Sequence, residues 1–216
     1  VDPGRYTYDE SGPINWRVIF RGTAYHNTVL VDRRNQTRYE WKKFRFKISG
    51  PDPERTVAAF VSKPGLDYLH GIARSYEYPV IHERKVLFIN GEYWVILDLL
   101  RADESHRYDL HFHLAPPAQG EVSLSVSHDT LSVYSPNLVL AQPLVPTVRP
   151  SIEEGFVSTS YGKKERAPTV RLTQDASSTC FLTVVYPCKH ETPKISIAAP
   201  QITDMVRPVG GKHRAT

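Results

Sequence analysis

The sequence predicts an all-β protein, an antiparallel β-sandwich of many short strands in a double-sheet stack. Three observations carry this. Apolar residues recur at every second position through most of the chain, the period of a half-buried strand. Asn90-Gly91 lies between two runs rich in Val, Ile, Phe, Tyr and Trp. This is the strongest short hairpin signal, because both residues tolerate positive φ. Seventeen prolines and many β-branched residues favour strands and turns, and no stretch holds a period of 3.6 over three turns.

Taken in order, the first strand is predicted at Trp16 to Phe20 (WRVIF), where alternation puts Arg17, Ile19 and Arg21 on one face. Further strands are predicted at TVLVD (28–32), KFRFKI (43–48), VAAFVS (57–62) and IARSYEY (72–78). The hairpin KVLFINGEYWVILDLL (85–100) follows. In YDLHFHL (108–114), Tyr108, Leu110, Phe112 and Leu114 are expected to face the core. His111 and His113 then lie together on the opposite face, and they are expected to be solvent-exposed or to cover the sheet rather than to bind metal. EVSLSVS (121–127) sets Val122, Leu124 and Val126 against serines, His128-Asp129 makes a tight turn, and TLSVY (130–134) repeats the alternation. NLVLAQ (137–142), FLTVVY (181–186) and ISIAA (195–199) complete the set. His82-Glu83-Arg84 reads as strand with its charges on one face, and Tyr161-Gly162 as a turn that positions an aromatic; both readings are structural.

Residues 1–206 are expected to form one domain, with a possible subdivision at the proline-rich stretch 143–150, and residues 207–216 a flexible tail. Hydrophobic residues are 40% of the chain and charged residues 23%, enough apolar material for a sizeable core. The formal net charge is +4, spread without a block of like charge, which disfavours nucleic acid as a partner. An anionic carbohydrate suits the same balance, as does plain solubility. Cys180 and Cys188 flank one apolar run and would lie about 26 Å apart if extended, too far for a disulfide; free thiols are expected. No apolar stretch is long enough to cross a membrane. The opening Val1-Asp2-Pro3-Gly4 suggests a chain that starts inside a domain. There is no Walker loop, dinucleotide fingerprint, Gly-x-Ser-x-Gly elbow or zinc-finger spacing.

Four stretches, read in order, resemble one family. They are VDPGRYTYDE (1–10), WRVIFRGTAYHNTVLVD (16–32), HERKVLFINGEYWVILDLL with HRYDLHFHL (82–114), and EEGFVSTSYGKKERAPTVRL with FLTVVYP (153–187). Together they look like the C-terminal β-rich region of heparinase II/III-like polysaccharide lyases. The second stretch is the most specific, with its arginine, its His-Asn-Thr and its hydrophobic strand ending in Asp.

The resemblance implies a polypeptide in which a helical toroid precedes the sandwich and the active site lies between them. It implies cleavage of uronic-acid-containing polysaccharide by β-elimination, with base, acid and charge-neutralising residues on the toroid. The family's His-x-His-x-Asp stretch would lie just upstream of Val1, so this chain alone is expected to lack catalysis. Asp2 and His26 match positions that hold zinc in the family together with one upstream histidine. Their bland readings are a turn-initiating Asp before Pro-Gly and a histidine bonded to backbone. Near a cleft, Arg17 and Arg21 suit bidentate grip of sugar carboxylates, against a solvated face. Tyr6 and Tyr8 suit stacking on sugar rings, against aromatic core packing. A periplasmic or secreted bacterial location follows from the resemblance alone. A stand-alone carbohydrate-binding module and a purely structural domain are the competing readings, since sandwiches host many functions.

Overall fold

Two long strands organise the molecule. The computed structural model describes residues 1–116, 122–188 and 193–197, and within them β7 (Tyr93–His113) and β12 (Lys163–Pro187) pair antiparallel along most of their length. The first half of β7 pairs with β6 (Ile81–Ile89), its second half with β1 (Val29–Val31). Likewise the first half of β12 pairs with β11 (Arg149–Ser160), its second half with β10 (Leu138–Pro143). Between the halves the β7–β12 register slips at Ala176/Ser178, which bends the sheet. One hydrogen-bonded sheet therefore supplies both layers of an all-β sandwich. One layer is β1-β7-β12-β11. The other runs β4-β5-β6-β7-β12-β10-β9-β8, with β4 (Glu54–Lys63), β5 (Leu66–Arg74), β8 (Ser123–Ser127) and β9 (Thr130–Ser135). A single core joins the layers: Val29, Val31, Tyr108, Leu110, Phe112, Val170 and Leu172 meet Leu100, Leu131, Val133, Leu140 and Phe181. The stretch 143–150 separates β10 from β11, and both of these pair with β12.

Several expectations hold at residue level. Asn90 and Gly91 turn with φ of 52° and 71°, joining β6 to β7. His128 has φ 50° in the β8–β9 turn, and Gly162 has φ 77° in the β11–β12 turn beside Tyr161. Tyr108, Leu110, Phe112 and Leu114 are buried, and both cysteines are free.

Other expectations are corrected. WRVIF is helix α1 (Trp16–Arg21), because Asn15 caps it by accepting the Val18 N–H at 3.1 Å. Trp16 and Phe20, four residues apart, then pack together edge to face. KFRFKI is split: Lys43 and Phe44 form a turn between β2 (Tyr39–Lys42) and β3 (Arg45–Ile48). β5 ends at Arg74, so Ser75 to Tyr78 leave the sheet. Ile195–Ile197 are not strand, and Ala198 and Ala199 fall outside the described residues, as does the 207–216 tail. His111 and His113 share a face but are buried, at 6% and 4% exposure, so the exposed reading fails. The segment after α1 lies over them: His113 Nε2 bonds the Ala24 carbonyl at 3.0 Å. Leu124 and Val126 face outward, exposed, so the apolar stripe of β8 is not a core stripe. Charges in His82-Glu83-Arg84 occupy both faces. His82 and Arg84 bind the fully buried Asp98, while Glu83 pairs with His70 and Arg101 on the other side.

Candidate functional site

All six residues singled out from the sequence, Asp2, Tyr6, Tyr8, Arg17, Arg21 and His26, line one open cleft of about 770 Å³. Three local devices bring them together. The first is the Asp2-Pro3-Gly4 turn. Asp2 Oδ1 accepts the Gly4 N–H at 2.9 Å, Gly4 takes φ 75°, and it bridges to Ser158 at the end of β11. The second is α1, whose i,i+4 spacing puts Arg17 and Arg21 on one face. The alternation argument reached the same pairing through the wrong period. The third is a single 3-10 turn, Thr23–Tyr25, which ends at His26 in extended backbone and leads into β1.

The turn-initiating role of Asp2 and its pairing with His26 are both present. Asp2 Oδ2 lies 3.0 Å from His26 Nδ1. Burial acts to raise the Asp2 carboxyl pKa, but the Gly4 N–H and the His26 bond outweigh it and hold the carboxyl below its ordinary value. Asn27 fastens the pair. Its side-chain amide donates to the Val1 carbonyl (3.2 Å), its side-chain oxygen accepts the His113 N–H (2.7 Å), and its own carbonyl accepts from Arg84 (2.5 Å). Arg84 is itself anchored on Asp98, whose carboxyl burial would raise; bonds from His82 and Arg84 reverse that and lower it.

The donor set fits two positions of a zinc shell. Carboxylate oxygen and imidazole nitrogen are both zinc-type donors, and here the two share a hydrogen bond. Among the described residues no third His, Cys, Asp or Glu joins the pair. The nearby His113 is committed to Ala24 and to the Thr169 hydroxyl.

The cationic and aromatic residues divide into held and free. Arg17 is held, ion-paired to Glu10 at 2.8 Å. Arg21 is exposed, makes no ion pair among the described residues, and lies over the Tyr39 ring at 5.3 Å. Tyr6 packs against Trp16 and Phe20, so it belongs largely to an aromatic cluster. Tyr8 is 54% exposed, flanked by Arg5 and Arg17 with Tyr161 alongside. Sequence reasoning missed Arg5, Glu10, Asn27 and Tyr39. Only Asn27 carried a signal, as the middle of the His-Asn-Thr motif.

The chain is thus an all-β domain, a two-layer antiparallel sandwich whose N-terminal turn, short helix and histidine meet in a basic, aromatic cleft. The chain belongs to the heparinase II/III-like C-terminal family, whose model matches residues 1–198. It is 24% identical over 206 residues to a heparin-sulfate lyase of Pedobacter heparinus, and 26% identical over 212 residues to one of Bacteroides stercoris. These alignments cover 91% and 90% of this chain but 28% of each relative. The crystal structure of the heparan sulfate lyase HepC from Pedobacter heparinus superposes with a TM-score of 0.72 at 23% identity, covering 94% of this chain and 30% of that one. The likeness in structure shows the fold.

Proposed function

We propose that the chain is the C-terminal domain of a polysaccharide lyase that cleaves uronic-acid-containing polysaccharide by β-elimination, and that its cleft forms one wall of the substrate site. The observation that carries this is the convergence of Asp2, His26, Arg17, Arg21 and Tyr8 in one cleft, within a chain whose curated relatives are heparin-sulfate lyases. Elimination removes the proton beside the uronate carboxylate and expels the glycosidic oxygen one carbon away. Negative charge grows on the carboxylate as the proton leaves. The group that neutralises this charge lies on the helical domain, as the family resemblance implies, while a guanidinium such as Arg21 grips a uronate carboxylate of the bound chain by bidentate hydrogen bonds. Tyr8 offers an aromatic face to a sugar ring. Base and acid come from a helical domain of the same polypeptide, as the family resemblance implies.

Asp2 and His26 supply two zinc ligands in this reading, with the third from outside the chain. Bound there, the ion would tie the Asp2 turn to the His26 turn and add positive charge to the cleft. A heparan-type glycosaminoglycan is the first substrate to try, and a periplasmic or secreted location follows from the bacterial relatives.

The test incubates the full-length protein and this domain separately with a panel of uronate polysaccharides and follows ultraviolet absorbance of the unsaturated product. Product from the full-length protein alone is expected. Binding by the domain with no product from either would favour a non-catalytic carbohydrate-binding module.

A further inference from the structure

We propose that the β2–β3 hairpin is an accessory binding site for an acidic polysaccharide, extending the cleft along the chain of the ligand. This rests on the polysaccharide reading above and adds a second, separate contact surface.

The hairpin is fixed to the rim of the cleft. The buried Glu10 carboxylate accepts the Phe46 backbone N–H at 2.5 Å and also holds Arg17 of the cleft. Tyr39 lines the cleft, and its hydroxyl donates to the Arg21 carbonyl at 3.4 Å. The pairing Tyr39↔Ile48 and Trp41↔Phe46 puts these four side chains on one face. That face therefore continues the cleft wall outward from Tyr39. Trp41 is braced edge to face on Phe46 yet 55% exposed, and Phe44 at the tip is 92% exposed. The C–H face of a pyranose ring fits such a surface, because its hydrogens meet the electron-rich aromatic face.

Charge selects the kind of sugar. Residues 38–48 hold five cations (Arg38, Lys42, Lys43, Arg45, Lys47) and one anion (Glu40), a net of +4, equal to the formal charge of the whole chain. Lys43, Arg45 and Lys47 make no ion pair among the described residues. By the same register Lys42, Arg45 and Lys47 leave the opposite face, with Lys43 at the tip, so a polymer of sugar rings bearing carboxylate or sulfate would stack on the aromatic face while the cations behind it and at the tip attract its charges.

The tip is also strained. Lys43 and Phe44 both take positive φ, 50° and 66°. In the β6–β7 turn the chain meets the same demand with Asn90-Gly91, residues that accept it readily. Asp32-Arg33, with φ of 49° and 58°, at least contains an Asp. Lys-Phe has neither feature, and two such residues cost stability without a local compensation. A basic residue and an exposed ring kept there at that cost point to a use for both side chains.

The experiment uses the full-length protein, retention on immobilised heparan sulfate, and steady-state kinetics on heparan sulfate polymer against its shortest cleavable oligosaccharide. Trp41→Ala changes no charge, so ion exchange alone predicts no effect on retention. The proposal expects lower-salt elution and a KM on polymer raised about tenfold, with kcat and the short substrate unaffected. A Lys43→Asn/Phe44→Gly double variant relieves the turn and folds at least as well, so it is expected to raise the unfolding temperature while weakening retention. Unchanged retention in both variants overturns the proposal. So does a fall in unfolding temperature for Trp41→Ala with binding intact, which would mean that the rest of the polypeptide covers the hairpin. If wild type yields no unsaturated product yet binds through Trp41, the lyase reading fails and the accessory site stands.

Discussion

Asp2 and His26, separated by most of the N-terminal segment, meet at 3.0 Å, and what holds them there is Asn27. Its side chain bridges Val1, next to Asp2, and His113 on β7. Asn27→Ala removes both bonds and leaves the His113 N–H without its acceptor. The expected loss is about 2 kcal/mol of stability, read by urea denaturation. Asn27→Asp keeps the acceptor oxygen for the His113 N–H, loses the donor to Val1 and adds a carboxylate charge, and it should still cost less than Asn27→Ala. Equal losses in the two variants would shift the role of Asn27 from the β7 bond to the Val1 bond.

Gly4 cannot be replaced cheaply. Its φ is 75°, and a Cβ built there would lie 2.3 Å from the Ser158 carbonyl oxygen, a backbone atom. Gly4→Ala must therefore move either the Asp2 turn or the end of β11. About 2–4 kcal/mol of destabilisation is expected from strain and overlap together, measurable as a lowered unfolding midpoint. The Asp-Pro-Gly sequence is thus a packing requirement as well as a turn signal.

Burial sets a pH limit. It pushes the His113 pKa down to about 4, and burial lowers the neighbouring His111 as well. An unfolded chain protonates such a histidine near 6.5, while the folded one stays neutral. Stability is therefore complete above pH 6.5 and is lost as pH falls toward 4, by of order 3 kcal/mol for His113. His113→Gln keeps a donor for the Ala24 carbonyl and removes the titration. Denaturation midpoints of the two proteins should converge as pH drops through that window. A constant gap would show that His113 does not carry the effect.

The sandwich was legible because alternation, the Asn-Gly turn and proline punctuation are local signals. The cleft was legible in part. Asp2 and His26 came through family resemblance, and Arg17 with Arg21 through a periodicity that was misread, since spacing of four serves a helix as spacing of two serves a strand. Asn15 before the apolar run was the helix signal that alternation hid. The Lys43-Phe44 turn was invisible because neither residue marks positive φ. The bonds of Glu10 to β3 and of Asn27 to β7 span 36 and 86 residues, and no short-range pattern encodes them. His111 and His113 looked exposed because a sheet face reveals nothing of the segment that will lie across it.

Arg17 and Arg21 look equivalent in sequence, but their surroundings predict different phenotypes. Arg17 neutralises Glu10, whose side chain is only 7% exposed. Removing it strands a buried carboxylate that also holds the β2–β3 hairpin, so Arg17→Ala should cost about 1–3 kcal/mol of stability. Arg21 is exposed, makes no ion pair among the described residues, and lies over the Tyr39 ring. Arg21→Ala should leave the unfolding midpoint within about 0.5 kcal/mol and, in the full-length protein, lower kcat/KM on a uronate polymer about tenfold or more. Arg21→Lys should recover little, because an ammonium cannot reproduce the bidentate fork. A loss of activity that follows stability in both variants would return Arg21 to the solvated surface. A loss confined to Arg21, with Lys failing to rescue, would place its guanidinium on the substrate carboxylate.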